Sequence, residues 1–300
     1  MTKRSSRSVY AELGAEQVIR ARRRGLIHDD DWKRDGHLAR LEDNLCLGEP
    51  LPYCVRREFE EGDGNELFPD GDGGNMYAVY SSSALCCNLF LYWRRRHLYA
   101  EIAKACGLDP DGISCMRFEM KMPVTGVPPG KTPPNLDFFI AYDDGRAVGF
   151  ECKFREPYAG VNLDQPPRAK KRLSKTYVRL PVWKGLANTK TLALELEGQN
   201  DECHFIERDQ LVTRVLGLNS ARGLASFEVV YLWYDVGGRF GGTLQAELDA
   251  FADRVRGDEY SFRSVTYQEI LKSLKTSCSP EHGEYIEWMQ RRYFPEEINV

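Results

Sequence analysis

Three ionisable residues, Asp137, Glu151 and Lys153, lie in two neighbouring strand-like segments. Residues 136–142 and 147–154 are rich in aromatic and β-branched side chains, and a turn of Asp and Gly residues joins them as a hairpin. Because side chains alternate along a strand, Glu151 and Lys153 share one face, and the hairpin brings Asp137 beside Glu151. The sequence therefore predicts two carboxylates and one ammonium group at one edge of a sheet.

Two carboxylates beside a lysine fit the hydrolysis of a phosphodiester bond by a bound divalent cation. Mg²⁺ prefers oxygen ligands and is usually held by one or two carboxylates together with substrate phosphate. The ion lowers the pKa of a bound water, and a nearby lysine orients that water or neutralises developing charge. We therefore expect Asp137 and Glu151 to bind Mg²⁺, for which Mn²⁺ substitutes, and Lys153 to assist the attacking water.

The opposite face of the second strand is apolar, and we interpret it as the face that packs against the core. Glu151 and Lys153 would then lie on an exposed face, where their removal changes stability little.

The elements around this hairpin predict an α/β architecture. In chain order they are a helix, a three-strand antiparallel meander, a helix and a further strand. Their predicted bounds are a helix over 84–106, strands around 116–122, 136–142 and 147–154, a helix over 209–221 and a strand over 227–234. Helices over 9–24 and 30–45 precede them, and a helix over 243–256, a strand over 261–267 and helices over 267–276 and 281–292 follow.

This order of elements and the D-x13-E-x-K spacing of Asp137, Glu151 and Lys153 resemble the PD-(D/E)xK nuclease superfamily, which has the restriction-endonuclease-like fold. The resemblance covers about residues 80–235. More narrowly, the chain is similar to a family of bacterial restriction endonucleases. That similarity is carried by Ser-Ala-Leu-Cys-Cys-Asn at 83–88, Asn135-Leu136-Asp137, Glu151-Cys152-Lys153 with Glu156, and Gln210-Leu211 with Arg214. Ser83 departs from the pattern, because the family favours Gln there.

The resemblance implies a magnesium-dependent endonuclease that hydrolyses double-stranded DNA. It implies an N-terminal helical attachment over 1–75, a nuclease core over 76–240 and a C-terminal helical extension over 241–300, which we interpret as scaffold or as the surface of a homodimer. Two alternatives stay open: a catalytically silent nucleic-acid-binding protein of the same fold, and a nuclease for RNA or single strands.

The resemblance also implies roles for two further residues. Gln210 would lie near the active site, with Arg214 on the same helix face at i, i+4. The first helix of this fold often supplies another acidic metal ligand, and Glu101 is our candidate. By residue type alone, Gln210 fits an exposed polar helix face and Glu101 a surface position equally well.

Two groups of basic residues are candidates for contacts with the nucleic-acid backbone. One follows the catalytic strand and consists of Arg168, Lys170, Lys171, Arg172 and Lys175; the other consists of Arg94, Arg95 and Arg96. For both groups the alternative is a solvated surface, which is the usual fate of charge runs.

Composition limits the remaining possibilities. The formal net charge of −4, from 41 basic and 45 acidic residues, argues against a wholly basic surface but permits a local basic cleft. Nine cysteines without an apolar leader sequence indicate a reducing, cytoplasmic compartment. The longest apolar run is too short to cross a bilayer, so we expect no membrane partner.

Overall fold

A five-stranded mixed sheet forms the centre of the computed structural model, which describes residues 8–27, 36–62, 64–67, 74–170, 172–198 and 202–294. The strands are β1 (Ile113–Lys121), β2 (Asn135–Tyr142), β3 (Arg146–Lys153), β4 (Ser226–Trp233) and β5 (Ser261–Thr266), in that spatial order. The first three strands form an antiparallel meander, whereas β4 pairs in parallel with β3 and β5 in parallel with β4. The predicted α/β class and three-strand meander are confirmed.

Helices cover both faces of this sheet. They are α1 (Val9–Arg23), α2 (Tyr53–Glu61), α3 (Ser82–Arg95), α4 (Tyr99–Ala105), α5 (Lys175–Val178), α6 (Ala187–Gly198), α7 (Arg208–Ser220), α8 (Gly238–Val255), α9 (Tyr267–Ser277) and α10 (Gly283–Tyr293). On β3, Phe150 contacts a phenylalanine of α3 and the neighbouring Glu151 contacts Arg214 of α7. Since adjacent strand residues point to opposite faces, α3 and α7 lie on opposite faces of the sheet.

The apolar sequence of β4 and the aromatic residues of α3 explain why the hairpin is buried. Strand β4 is buried along nearly its whole length, as expected for a strand covered on both faces. On the α3 side, Phe90 stacks on Phe138 of β2 with ring centroids 3.9 Å apart, and it meets Phe150 of β3 edge-on. These contacts fix the hairpin against α3 and leave its other face to α7.

The predicted helix over 84–106 is wrong as a single element, because two helices cover this range. His97 has φ 54°, the left-handed conformation that ends helices. The N–H of Leu98 donates to the carbonyl of Trp93, and the N–H of His97 donates to that of Arg94. This is a Schellman termination, which turns the chain before α4 begins.

The N-terminal part also differs from the sequence prediction. Within the described part of the predicted helix over 30–45, the regular element is a short 3₁₀ turn at Leu41–Asn44. The side chain of Asn44 donates to the carbonyls of Met76 and Ala78 at 2.7 and 2.9 Å, so that a tertiary contact shapes this segment. Helices α2, α5 and α6 were not predicted. Among the described residues, no helix has the length and apolar character needed to span a membrane.

Candidate active site

The β2–β3 hairpin brings Asp137 beside Glu151. Its antiparallel register runs from Ala141 opposite Ala147 to Phe138 opposite Phe150, so the next facing positions are Asp137 and Glu151. The backbone N–H of Cys152 donates to Asp137 Oδ2 at 2.5 Å. The structure thus brings together the two carboxylates that the sequence predicts to be neighbours.

Glu151 holds two cationic side chains. Its Oε1 lies 2.6 Å from Lys153 Nζ, and its Oε2 accepts from Arg214 Nε at 2.9 Å. Glu151 is only 1 % exposed. The expectation that it lies on an exposed face is therefore wrong, because α7 covers this face of the hairpin.

Helix α7 reaches the hairpin because two glycines permit close packing. A Cβ on Gly217 of α7 would lie 2.6 Å from the Cβ of Met122, and a Cβ on Gly149 of β3 would lie 3.0 Å from a methyl group of Leu218. Both separations are below or at the closest contact of real side chains, so only glycine fits without a shift. This close packing of α7 on the hairpin brings Arg214 into contact with Glu151.

Gln210 enters the site from the same helix. Its Oε1 accepts from Lys153 Nζ at 3.4 Å, and its amide donates to Glu207. The i, i+4 spacing of Gln210 and Arg214 therefore places both side chains on the face that contacts the hairpin.

The two carboxylates have opposite pKa shifts. The pKa of Asp137 is raised to about 7, first by burial and then by the charge of Glu151. Burial alone would also raise the pKa of Glu151, but Arg214 and Lys153 outweigh burial and lower that pKa to about 2. The pKa of Lys153 is raised, because the charges of Glu151 and Asp137 outweigh its burial. At neutral pH Lys153 is an ammonium ion and Asp137 is poised to exchange a proton or a cation.

Glu119 is a site residue that the sequence analysis missed. The β1–β2 register pairs Phe118 with Phe138 and Met120 with Leu136, which puts Glu119 opposite Asp137. Glu119 has φ 49°, an unfavourable backbone conformation for a residue with a Cβ. The pKa of its carboxyl is raised to about 9, chiefly by burial and then by the charge of Asp137. Glu119 is one of three charged residues at alternate positions of β1, with Arg117 and Lys121, so no sequence signal singles it out.

Glu66 and Asn135 complete a group of oxygen atoms around Asp137. The pKa of Glu66 is raised to about 7, chiefly by burial and also by the charge of Asp137, against a hydrogen bond from Ser83. Among the described residues, the buried atoms Glu66 Oε2 and Asn135 Oδ1 have no hydrogen-bond partner. The amide of Asn135 donates to Glu119. Buried oxygens without a donor are rare, because each one costs free energy.

This group of oxygens fits a divalent cation. Within the described ranges, no group of three or more His, Cys, Asp or Glu side chains is arranged so that it could hold a metal ion by itself. Mg²⁺ does not need one, since it keeps several waters and takes one or two carboxylates together with substrate phosphate. The unpartnered oxygens of Glu66 and Asn135, and the raised pKa values of Asp137 and Glu119, are features that a cation would relieve.

Glu101 is a partly buried residue of α4. Its charge helps to raise the pKa of Cys278, which follows the end of α9, although burial of that thiol is the larger cause. A metal-binding role for Glu101 stays a prediction. Glu119, which lies opposite Asp137 in the β1–β2 register, is a further acidic candidate.

Part of the first basic group lies near the site. Arg168 and Lys170 line a cavity of about 200 Å³ together with Glu156 and Glu207, and Lys170 donates to the carbonyl of Ile206. Lys175, in contrast, is an exposed residue of α5 whose ammonium lies 4.0 Å from Glu197. Arg172 has an interaction partner within the protein, and Lys171 lies outside the described residues.

The second basic group is occupied by ion pairs at the far end of α3. Arg94 makes a bidentate pair with Glu58 at 2.6 and 2.7 Å, and Arg95 and Arg96 both pair with Glu49. Arg96 also lies over a tyrosine ring. These arginines have intramolecular partners that an incoming phosphate would have to replace.

Comparison with known proteins gives one match. A family model described as "Restriction Endonuclease associating with ARP" matches residues 14–294, which is most of the chain. No curated protein and no solved structure matches the chain.

Proposed function

We propose that this chain, which belongs to the REase-ARP family of restriction endonucleases, is a PD-(D/E)xK nuclease that hydrolyses double-stranded DNA with Mg²⁺. The observation that carries the proposal is the convergence of Asp137, Glu119 and Glu151 with Lys153 at one sheet edge. Burial and neighbouring carboxylates raise the pKa values of Asp137 and Glu119 there, as expected of carboxylates arranged to hold a cation.

Asp137 and Glu151 would hold Mg²⁺ together with substrate phosphate, with the amide oxygen of Asn135 as a further ligand. Glu119, opposite Asp137 on β1, would add negative charge beside the ion. A carboxylate has about four acceptor positions, so Glu151 keeps acceptor capacity beyond its contacts with Lys153 and Arg214. When bound, Mg²⁺ polarises a phosphoryl oxygen and lowers the pKa of a bound water.

Lys153 and Gln210 would position the reacting groups. Lys153 stays protonated because its pKa is raised, so its role is to orient water and to stabilise negative charge rather than to accept a proton. Gln210 accepts from Lys153 and so orients its ammonium. Arg214 fixes Glu151 from the opposite side.

Incubation with plasmid DNA and Mg²⁺ tests this proposal. We expect discrete fragments from a site-specific enzyme, or a smear from a nonspecific one, and no cleavage by Lys153→Met. Arg146→Gln, at the other end of β3, is the matched control and should cleave like the wild type. If the wild-type protein binds DNA but leaves the plasmid intact, the nuclease proposal fails and the silent nucleic-acid-binding alternative takes its place.

Replacing Mg²⁺ by other divalent cations tests whether cleavage depends on the metal. Mn²⁺ should replace Mg²⁺ in cleavage, whereas Ca²⁺ should support binding with little turnover, since it takes more ligands at longer distances and activates water poorly. Cleavage that continues in the presence of excess chelator would contradict a metal mechanism.

A further inference from the structure

Arg155 follows the catalytic strand and is held between two tyrosine rings. Its guanidinium carbon lies 3.5 Å from the centroid of the Tyr80 ring and 4.2 Å from that of Tyr10. Among the described residues, no carboxylate pairs with it. Arginine carries five N–H donors, which in folded proteins usually bond to carboxylates, carbonyls or phosphates. The rings thus hold this side chain in place and leave its donors available.

The guanidinium lines a cavity of about 450 Å³ that adjoins the candidate site. Ser82 and Ser83, at the start of α3, line the same cavity, as do Glu66 and Glu156. Glu66 carries one of the buried oxygens that fit a cation, and Glu156 accepts from the backbone N–H of Phe154, the neighbour of Lys153, at 2.9 Å, so the cavity lies next to the candidate site. Hydroxyl groups and a guanidinium together form a surface of donors beside that cation site.

Arg146, at the opposite end of β3, shows what a structural arginine looks like in this fold. It too lies over a tyrosine ring, with its guanidinium carbon 4.5 Å from the centroid of Tyr142. It also makes ion pairs with Asp144 at 2.6 Å and with Asp109 at 2.9 Å. Arg155 has the aromatic support without the carboxylates, which leaves its guanidinium able to bind an anion from another molecule.

We propose that Arg155 binds a backbone phosphate of the nucleic-acid strand, next to the phosphate that is cleaved. This inference rests on the proposed function for the identity of the strand. The planar guanidinium matches a phosphate through two parallel hydrogen bonds, and its place two residues after Lys153 puts that phosphate beside the reaction. Glu66 and Glu156 would repel a phosphate in the same cavity, so we expect the contact to need a divalent cation at the neighbouring carboxylates.

Binding of labelled duplex DNA by Arg155→Gln, Arg155→Lys and Arg146→Gln tests the subsite. Fluorescence anisotropy is measured with Ca²⁺ over a series of salt concentrations, and the melting temperature of each variant checks its fold. We expect Arg155→Gln to weaken binding about tenfold and to flatten the slope of log affinity against log salt by about 0.9, because one phosphate contact is lost. Arg146→Gln should match the wild type.

Arg155→Lys keeps the charge but loses the two parallel hydrogen bonds. We expect a wild-type salt slope with a lower affinity, and this variant decides the question if Arg155→Gln does not fold. Three results would overturn the subsite. They are wild-type affinity in Arg155→Gln (or in Arg155→Lys, if Arg155→Gln does not fold), equal weakening of binding in Arg146→Gln, and a wild-type protein that does not bind DNA. Weakened binding by Arg155→Gln in a protein that binds but never cleaves would support the subsite and refute the nuclease function.

Discussion

The two ends of β3 differ in how their charges are paired. At the Arg146 end, Asp109 and Asp144 both bond to the guanidinium, and their pKa values are lowered, chiefly by backbone hydrogen bonds and then by Arg146. At the Lys153 end, Asp137 and Glu119 have pKa values raised by burial and by neighbouring carboxylates. Surface charges at the first end are satisfied within the chain.

Beside the ion pairs of Glu151, the Lys153 end holds an arginine and two buried oxygen atoms that lack a polar partner among the described residues. Arg155 has no carboxylate among the described residues, and Glu66 Oε2 and Asn135 Oδ1 have no donor. The cavities at the two ends are similar in size, about 460 Å³ beside Arg146 and about 450 Å³ beside Arg155. Cavity volume therefore does not distinguish a functional end from a structural one, whereas the pairing of charges does.

The largest expected effect is on catalysis. Asp137→Asn preserves an oxygen for the N–H of Cys152 but removes the charge that would hold the cation, so cleavage should fall by about 10³-fold or more. Asp109→Asn, at the other end of β3, should cleave like the wild type. Both variants are compared by their rates of plasmid cleavage in Mg²⁺. Equal rates for the two would contradict a functional difference between the Lys153 end and the Arg146 end of β3.

The second effect is on stability. Glu151→Ala leaves Lys153 and Arg214 buried without their anion, which should lower the free energy of unfolding by about 3–5 kcal/mol. Asp144→Ala removes an exposed partner of Arg146 and should change stability little. Urea unfolding measures both, and a Glu151→Ala protein as stable as the wild type would show that the ion pairs with Lys153 and Arg214 contribute nothing.

The third effect is on pH dependence. The pKa values of Glu66 and Asp137 are raised to about 7 and that of Glu119 to about 9. A raised carboxyl pKa means that the folded state binds more protons than the unfolded state, so stability is lost as pH rises through these values. Glu151, whose pKa is lowered to about 2, loses its contribution only in acid.

Without metal, the melting temperature should therefore fall between about pH 5 and pH 9, as protons leave these carboxyls. Mg²⁺ binds the deprotonated forms, so the increase in melting temperature that it causes should grow with pH. Glu119→Gln should reduce the fall above pH 7. Thermal melts with and without Mg²⁺ test this, and an Mg²⁺ effect that is constant across the range would contradict it.

The smallest effect is on the salt dependence of binding. Arg168→Ala combined with Lys170→Ala should flatten the slope of log affinity against log salt by about two units, if both side chains beside the site contact phosphate. Arg95→Ala combined with Arg96→Ala, at the far end of α3, should leave the slope unchanged, since Glu49 already neutralises those charges. Equal slopes for the two double variants would indicate that Arg168 and Lys170 are solvated surface residues that do not contact phosphate.

What the sequence predicted at the site depends on short-range spacing. A hairpin fixes the relation of Asp137 to Glu151, and the i, i+4 spacing on one helix fixes that of Gln210 to Arg214. As predicted, Asp137 faces Glu151 across the hairpin, and Gln210 and Arg214 share the helix face that contacts the hairpin. Strand alternation and helix periodicity leave few other arrangements for residues at these spacings.

What the sequence did not predict depends on contacts between distant segments. Glu119 enters the site through the β1–β2 register, and Glu66 enters from a segment that precedes α3. Arg155 is recognisable only from the rings of Tyr10 and Tyr80, which are distant in sequence.

Cation binding tests the comparison between the two ends most directly. Mn²⁺ is titrated into the wild-type protein, Asp137→Asn and Asp109→Asn by calorimetry, without DNA. We expect the wild type and Asp109→Asn to bind the ion alike, with proton release near neutral pH, and Asp137→Asn to lose that binding. Wild-type binding by Asp137→Asn, or its loss in Asp109→Asn, would contradict a cation site at the Lys153 end of β3.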